Sequence, residues 1–283
     1  MDRRRLEEAL FKVLMMASTV LVLASLAGVM GVVLVRGLPA LDLAMITQTP
    51  KGGYYLGKEG GVLNAIAGSL CLAVGATAIA LVLSLPIVFY LQRDYAGRSR
   101  LASYTRLALD VLWGIPSIVY GAFGFVIMLY MGLRASLLGG VIALTLVELP
   151  IMARAMDEVV RLVPAELKDA SYALGATRIE TTTRVVWRQV LPGIVTAALL
   201  AFGRGIGDAA SVLFTAGYSD YLPSSLMEPV ASLPLAVFFQ ILTPFPEVQQ
   251  RAYASGAILL ALVLIVSVAS RLLARRFERH VVR

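Results

Sequence analysis

The sequence predicts an all-α, polytopic integral membrane protein with six transmembrane helices. Three observations predict it. Hydrophobic residues make up 59% of the 283 and charged residues only 15%, against about 25% charged in an average soluble domain. Mean hydropathy is +0.81. The apolar residues gather in runs long enough to cross about 30 Å of hydrocarbon at about 1.5 Å per helical residue; these lie at residues 11–35, 64–91, 107–132, 135–152, 193–217 and 252–270.

The first run follows Arg3-Arg4-Arg5, as the core of a secretory signal would. Such a core holds only about 7–15 apolar residues, so this longer run reads as an uncleaved anchor. Residues 37–63 carry Pro39, Pro50 and several glycines and read as an irregular external loop. Within it, residues 52–58 match the spacing of a phosphate-binding loop, but Glu59 stands where Ser or Thr would hold magnesium. With no buried strand before it, the match is coincidental. The chain therefore has no nucleotide site or cofactor of its own, and any ATP and magnesium must bind a separate subunit.

In the third run Ile115-Pro116-Ser117 is a break. Pro116 removes a backbone hydrogen bond, and Ser117 or water can satisfy the freed carbonyl. The fourth run contains Glu148-Leu149-Pro150. Residues 218–251 hold Pro223, Pro229, Pro234, Pro244 and Pro246, and their apolar stretch 233–242 is too short to cross, so it reads as an interfacial or re-entrant piece. Three units result: an N-terminal helix and loop (1–62), the main transmembrane domain (63–274) and a basic tail (275–283).

Charge placement orients the chain. Of the 25 Lys and Arg, five (Arg36, Lys51, Lys58, Arg134, Arg251) fall on one side, Arg204 lies within a run, and the remainder fall on the other side. Cations accumulate on the cytoplasmic side, so both termini are expected there. Topology thus accounts for the net charge of +7 without a nucleic-acid partner. A single Cys and a single His leave no disulfide framework and no Cys/His metal site. Cys71 reads as a packing residue and His280 as a surface one.

Ionised side chains at mid-span cost about 2.5–3.5 kcal/mol on insertion scales, so they persist where paired or where they line a polar path. Arg204 and Asp208 are four apart on the fifth run, hence on one helical face, among Gly203, Gly205 and Gly207. Arg154 and Asp157 are three apart at the inner end of the fourth run, with Glu158 in reach. A guanidinium fork matches two oxygens of an oxyanion, so these positions are read as a substrate pathway, with structural ion pairing as the alternative. Asp110 reads as structural.

Between the fourth and fifth runs lies Asp169-Ala170-Ser171-Tyr172-Ala173-Leu174-Gly175. Pro164 and Gly175 bracket one short helix, and Thr177 with Glu180 opens a second through a capping box. The pattern of an acid, two small residues, three variable residues and glycine resembles the "EAA" loop of ABC importer permeases. The stretches Ile115–Gly121, Arg154–Glu158, Val163-Pro164 and Gly203–Asp208 resemble the PstA-type phosphate permeases of that superfamily. The likeness spans about residues 63–274 and departs at Asp169, Asp208 and Trp187-Arg188, where Glu, Glu and Leu-Pro are commoner.

The resemblance implies a type I ABC importer permease fold in the inner membrane and transport without covalent chemistry. It implies coupling to an ATPase through Asp169, Ala170, Ser171 and Gly175. The implied partners are a homologous second permease, two ATPase subunits and an external phosphate-binding protein. Other oxyanions (tungstate, molybdate, sulfate) remain alternatives, as does an ion-coupled secondary transporter using Glu148 or Asp208 as proton carrier.

Overall fold

The computed structural model describes residues 3–51, 59–92, 94–96 and 99–277. The decoy phosphate-loop residues 52–58, His280 and most of the basic tail lie outside them. The helices are α1 (Arg3–Gly37), α2 (Leu43–Thr47), α3 (Leu63–Tyr90), α4 (Arg100–Gly114), α5 (Ser117–Tyr130), α6 (Leu137–Arg161), α7 (Ala165–Ala173), α8 (Arg178–Glu180), α9 (Trp187–Ile206), α10 (Leu233–Ile241) and α11 (Pro246–Phe277). Five described helices are long and apolar enough to cross a membrane, or six with the bent α4–α5 pair.

The core is a packed pair, α3 with α6, and α9 leans on both. Ala73, Ala76 and Ala80 on α3 are fully enclosed, and Gly140 on α6 is packed against Leu72 of α3. In lipid no hydrophobic force drives helices together, so small residues that permit close backbone approach take that role. Three apolar clusters stack along the bundle: Val88, Met152, Met156 and Val190 toward the C-terminal end of α3, Leu72, Leu144 and Val212 in the middle, and Met45, Leu233 and Ala254 toward the N-terminal end of α3. Helix α1 is exposed along its span and packs chiefly on α11, where Arg36 donates to the Tyr253 hydroxyl at 3.0 Å.

Four expectations need revision. The third run is two helices, bent by 100° at the break. Pro116 bars Ile115 from the helical region, and both are extended, with ψ of 130° and 137°. The Leu112 carbonyl, which a residue with an N–H at position 116 would meet in an unbroken helix, accepts instead from Ile115 N–H at 3.2 Å and from the Tyr120 hydroxyl at 2.8 Å rather than from Ser117. The segment 37–63 is not wholly irregular: Asp42 caps α2 through Met45 N–H, and two-residue strands β1 (Pro50–Lys51) and β2 (Glu59–Gly60) pair antiparallel.

The second short helix after Gly175 is instead the start of a long rod. α8, a π-helical turn (Thr181–Val186) and α9 run together from Arg178 to Ile206. Its N-terminal capping box is present: Thr177 Oγ1 accepts from Glu180 N–H, and the Glu180 carboxylate accepts from Thr177 N–H at 2.9 Å. Finally, the fifth run is helical only to Ile206. Three glycines each cost about 1 kcal/mol of helix propensity, and the Asp208 side chain competes for backbone N–H groups.

Candidate functional site

At the C-terminal end of α6, α4 and α6 gather a charge cluster around Asp157, which is fully buried. Its Oδ2 lies 3.1 Å from Arg106 Nε, 2.8 Å from Arg161 Nη2 and 3.7 Å from Arg154 Nη1. Arg106 also donates through Nη2 to the Leu91 carbonyl at 2.5 Å. The nearest partner of Arg154 is Asp110, at 2.7 Å from Nε, although the N–H direction there misses a hydrogen bond. Glu158 lies 3.7 Å from Arg154 Nη2. The expected Arg154–Asp157 pair is therefore real but is one link in a wider network.

Arg106, which serves in the sequence only as a topology marker, is a principal partner of Asp157. No local spacing could reveal it, because Arg106 and Asp157 are 51 residues apart.

The expected Arg204–Asp208 pair does not form. Gly207 ends α9, so Asp208 leaves the helix and the four-residue spacing loses its meaning. Asp208 Oδ1 accepts instead from the N–H groups of Ala210 at 2.9 Å and Ser211 at 3.2 Å. Arg204 is exposed and has no ion-pair partner among the described residues.

The loop between α6 and α9 presents a second surface. Helix α7 stops in a Schellman arrangement: Ala176 N–H bonds the Ser171 carbonyl at 3.2 Å and Gly175 N–H the Tyr172 carbonyl at 2.9 Å. Gly175 takes φ +82°, which costs an L-residue about 1–2 kcal/mol. Asp169, Ala170 and Gly175 face outward. Ser171 does not; it is buried, and its hydroxyl pairs with Thr181 Oγ1 at 2.9 Å. The sequence misses the most exposed apolar side chains here, Leu162, Leu174 and Ile179, at 80%, 89% and 67% exposure. Plotting α7 on a helical wheel would have separated the outward Asp169, Ala170 and Ala173 from the inward Ser171.

The α7–α9 loop is tied to the segment after α3. Lys168 Nζ lies 3.3 Å from Asp94 Oδ2, and the Tyr95 and Thr182 hydroxyls share a hydrogen bond at 3.1 Å. A cavity of about 800 Å³ lies between them, lined by Gln92, Asp94, Arg106, Arg161 and Lys168 among others.

With five or six crossing helices and an outward loop helix in place, comparison with known proteins decides the family. The family model described as "Binding-protein-dependent transport system inner membrane component" matches residues 95–283. The phosphate transport system permease protein PstA of Yersinia pestis is 33% identical over 270 residues, covering 95% of this chain and 90% of that protein. PstA 1 of Mycobacterium tuberculosis (strain CDC 1551 / Oshkosh) is also 33% identical, with 96% and 90% covered.

The chain belongs to this family and, within it, to the PstA-type permeases.

The fold agrees with that placement. A structure of the MetNI methionine ABC transporter superposes with a TM-score of 0.63 at 18% identity, covering 76% of this chain and 95% of that one. An amino acid ABC transporter gives 0.58 at 20% identity, covering 76% and 94%. The permease thus has the type I ABC importer fold. It is a multi-pass inner-membrane transport component and not an enzyme, and its family implies ATPase partners and an external binding protein.

Proposed function

We propose that the permease carries inorganic phosphate inward across the membrane, paired with a homologous second permease, two ATPase subunits and an external phosphate-binding protein. The observation carrying this reading is one third identity to named phosphate permeases along nearly the whole chain. Both termini and the α7 loop face the cytoplasm, as the cation bias favours. Competition tests the substrate: in reconstituted vesicles, excess sulfate, molybdate or tungstate is expected to leave ATP-driven phosphate uptake nearly unchanged. Strong inhibition by one of them would reassign the substrate.

In this reading Arg204 is a cation on the anion's path, available because Asp208 bonds its own turn instead. Arg154 is a second, at the inner end, where Asp110 restrains it from trapping the anion. Asp157 is enclosed and serves by holding Arg106, Arg154 and Arg161 in place. The ATPase grips Asp169, Ala170 and Gly175 together with Leu174 and Ile179, while Ser171 fixes the loop from within.

Movement of α7 then reaches α3 through the Lys168–Asp94 pair. Partly exposed pairs contribute about 0.2–1 kcal/mol, so Lys168→Asp is expected to lower phosphate moved per ATP by about 2- to 5-fold. The double exchange Lys168→Asp with Asp94→Lys is expected to restore it. Uptake and ATPase rates measured together check this, and failure of the exchange to restore the ratio would remove the link.

A further inference from the structure

Glu148 stands roughly midway along α6, about 16 Å from its outer end at about 1.5 Å per residue, and is fully buried. Its Oε2 accepts from the Thr77 hydroxyl at 2.8 Å, while Oε1 is buried with no partner. Oε1 rests in a notch at Gly205, where a Cβ would collide with it. Gly205 is in the last turn of α9, and its carbonyl accepts from Asp208 N–H at 3.1 Å. Asp208 uses Oδ1 for two backbone N–H groups, leaving Oδ2 buried and unpartnered. The adjoining Ser211 is fully enclosed, and its hydroxyl is unpartnered as well. The two carboxyl groups lie within electrostatic reach of each other.

Among the described residues the surroundings offer no compensating charge. From α3 the pair meets the Thr77 hydroxyl. From α5 Gly121 packs on the Ala210 and Ser211 carbonyls, and the neighbouring Tyr120 hydroxyl is committed to Leu112. On α6 the next charge is Arg154, engaged with Asp110, Asp157 and Glu158. On α9, Arg204 is exposed. The charges described on α11, Glu247, Arg251 and Arg271, lie toward its ends. The C-terminus of α9 adds its own negative partial charge. Because Glu148 is enclosed within this one chain, a neighbouring subunit cannot supply the missing cation without repacking α6 against α9.

Two ionised carboxylates enclosed in a low-dielectric interior, with no cation, repel each other and forfeit their hydration. One proton resolves both problems, since it leaves a single negative charge in the enclosure.

We propose that Glu148 and Asp208 form a proton-binding site inside the membrane, in which the pair holds one proton, carried on Glu148 Oε1. The ligand is a single proton taken from water. One O–H bond forms, no other covalent bond changes, and the pair goes from a charge of −2 to −1. Loss of the proton sets two like charges on either side of the Gly205 notch. This holds whichever anion the transporter carries.

Infrared difference spectroscopy on the complete reconstituted complex tests it. At neutral pH the wild type is expected to show a carboxylic-acid C=O band that Glu148→Gln lacks; the amide is neutral and nearly the size of the protonated acid, so the fold is retained. Thr77→Val, which removes the hydrogen bond to Oε2, is expected to shift that band without abolishing it. A neutral-pH spectrum identical in wild type and Glu148→Gln would overturn the proposal, as would a band indifferent to Thr77→Val. A band that appears only when sodium is removed would also overturn it, by identifying the occupant as a metal cation.

Discussion

Arg204→Gln is expected to lower ATP-driven phosphate uptake by about 10- to 100-fold, with membrane insertion and ATPase assembly unchanged. A hydrogen bond to a charged group contributes about 1.5–3 kcal/mol, and each 1.36 kcal/mol is about a factor of ten in rate. Two features make the effect large. Arg204 is exposed on a membrane-crossing rod, a place where a cation persists only beside water, substrate or another charge. It also makes no ion pair with Asp208, so the substitution leaves no stranded carboxylate behind. Arg204→Lys keeps the charge but loses the planar fork, and its uptake is expected to fall between the two. Radiolabelled phosphate accumulation in vesicles, normalised to assembled complex, is the measurement; full uptake by the Gln variant would remove Arg204 from the pathway.

The double substitution Leu174→Asp with Ile179→Asp is expected to weaken ATPase binding by at least about 30-fold. Buried interface anchors contribute about 2 kcal/mol or more each, and these two apolar side chains are the obvious candidates on the outward loop. At 89% and 67% exposure they hold nothing together within the chain, so folding is not the cause of any loss. Ser171→Ala provides the contrast. It removes the internal bond to Thr181 and is expected to loosen the loop with a smaller effect on docking. Co-purification of the ATPase with each variant separates the two, and full retention by the double variant would mean that the ATPase docks elsewhere.

Much of this architecture is legible in the sequence because lipid enforces it. An unbroken apolar run can only be a helix, so the cores of α1, α3, α6 and α11 are readable, while their polar extensions beyond the hydrocarbon are not. Pro116 announces a break, since a missing N–H is a local fact, but a bend of 100° depends on what α4 and α5 pack against. The end of α9 was misread for a similar reason. Composition at Gly203–Asp208 gives a weak helix, and only the turn that Asp208 caps decides where it stops.

Site residues divide along the same line. Thr177, Glu180 and Gly175 are readable because capping is local. The partnership of Arg106 with Asp157, of Asp94 with Lys168 and of Glu148 with Thr77 is set by how distant helices meet, and no spacing along the chain encodes it.

The most direct test compares phosphate accumulation in vesicles containing this chain alone with vesicles containing it together with its ATPase and second permease. None is expected from the chain alone, even under an imposed proton or sodium gradient, and ATP-dependent accumulation is expected from the assembled complex. Gradient-driven accumulation by the isolated chain would contradict that expectation.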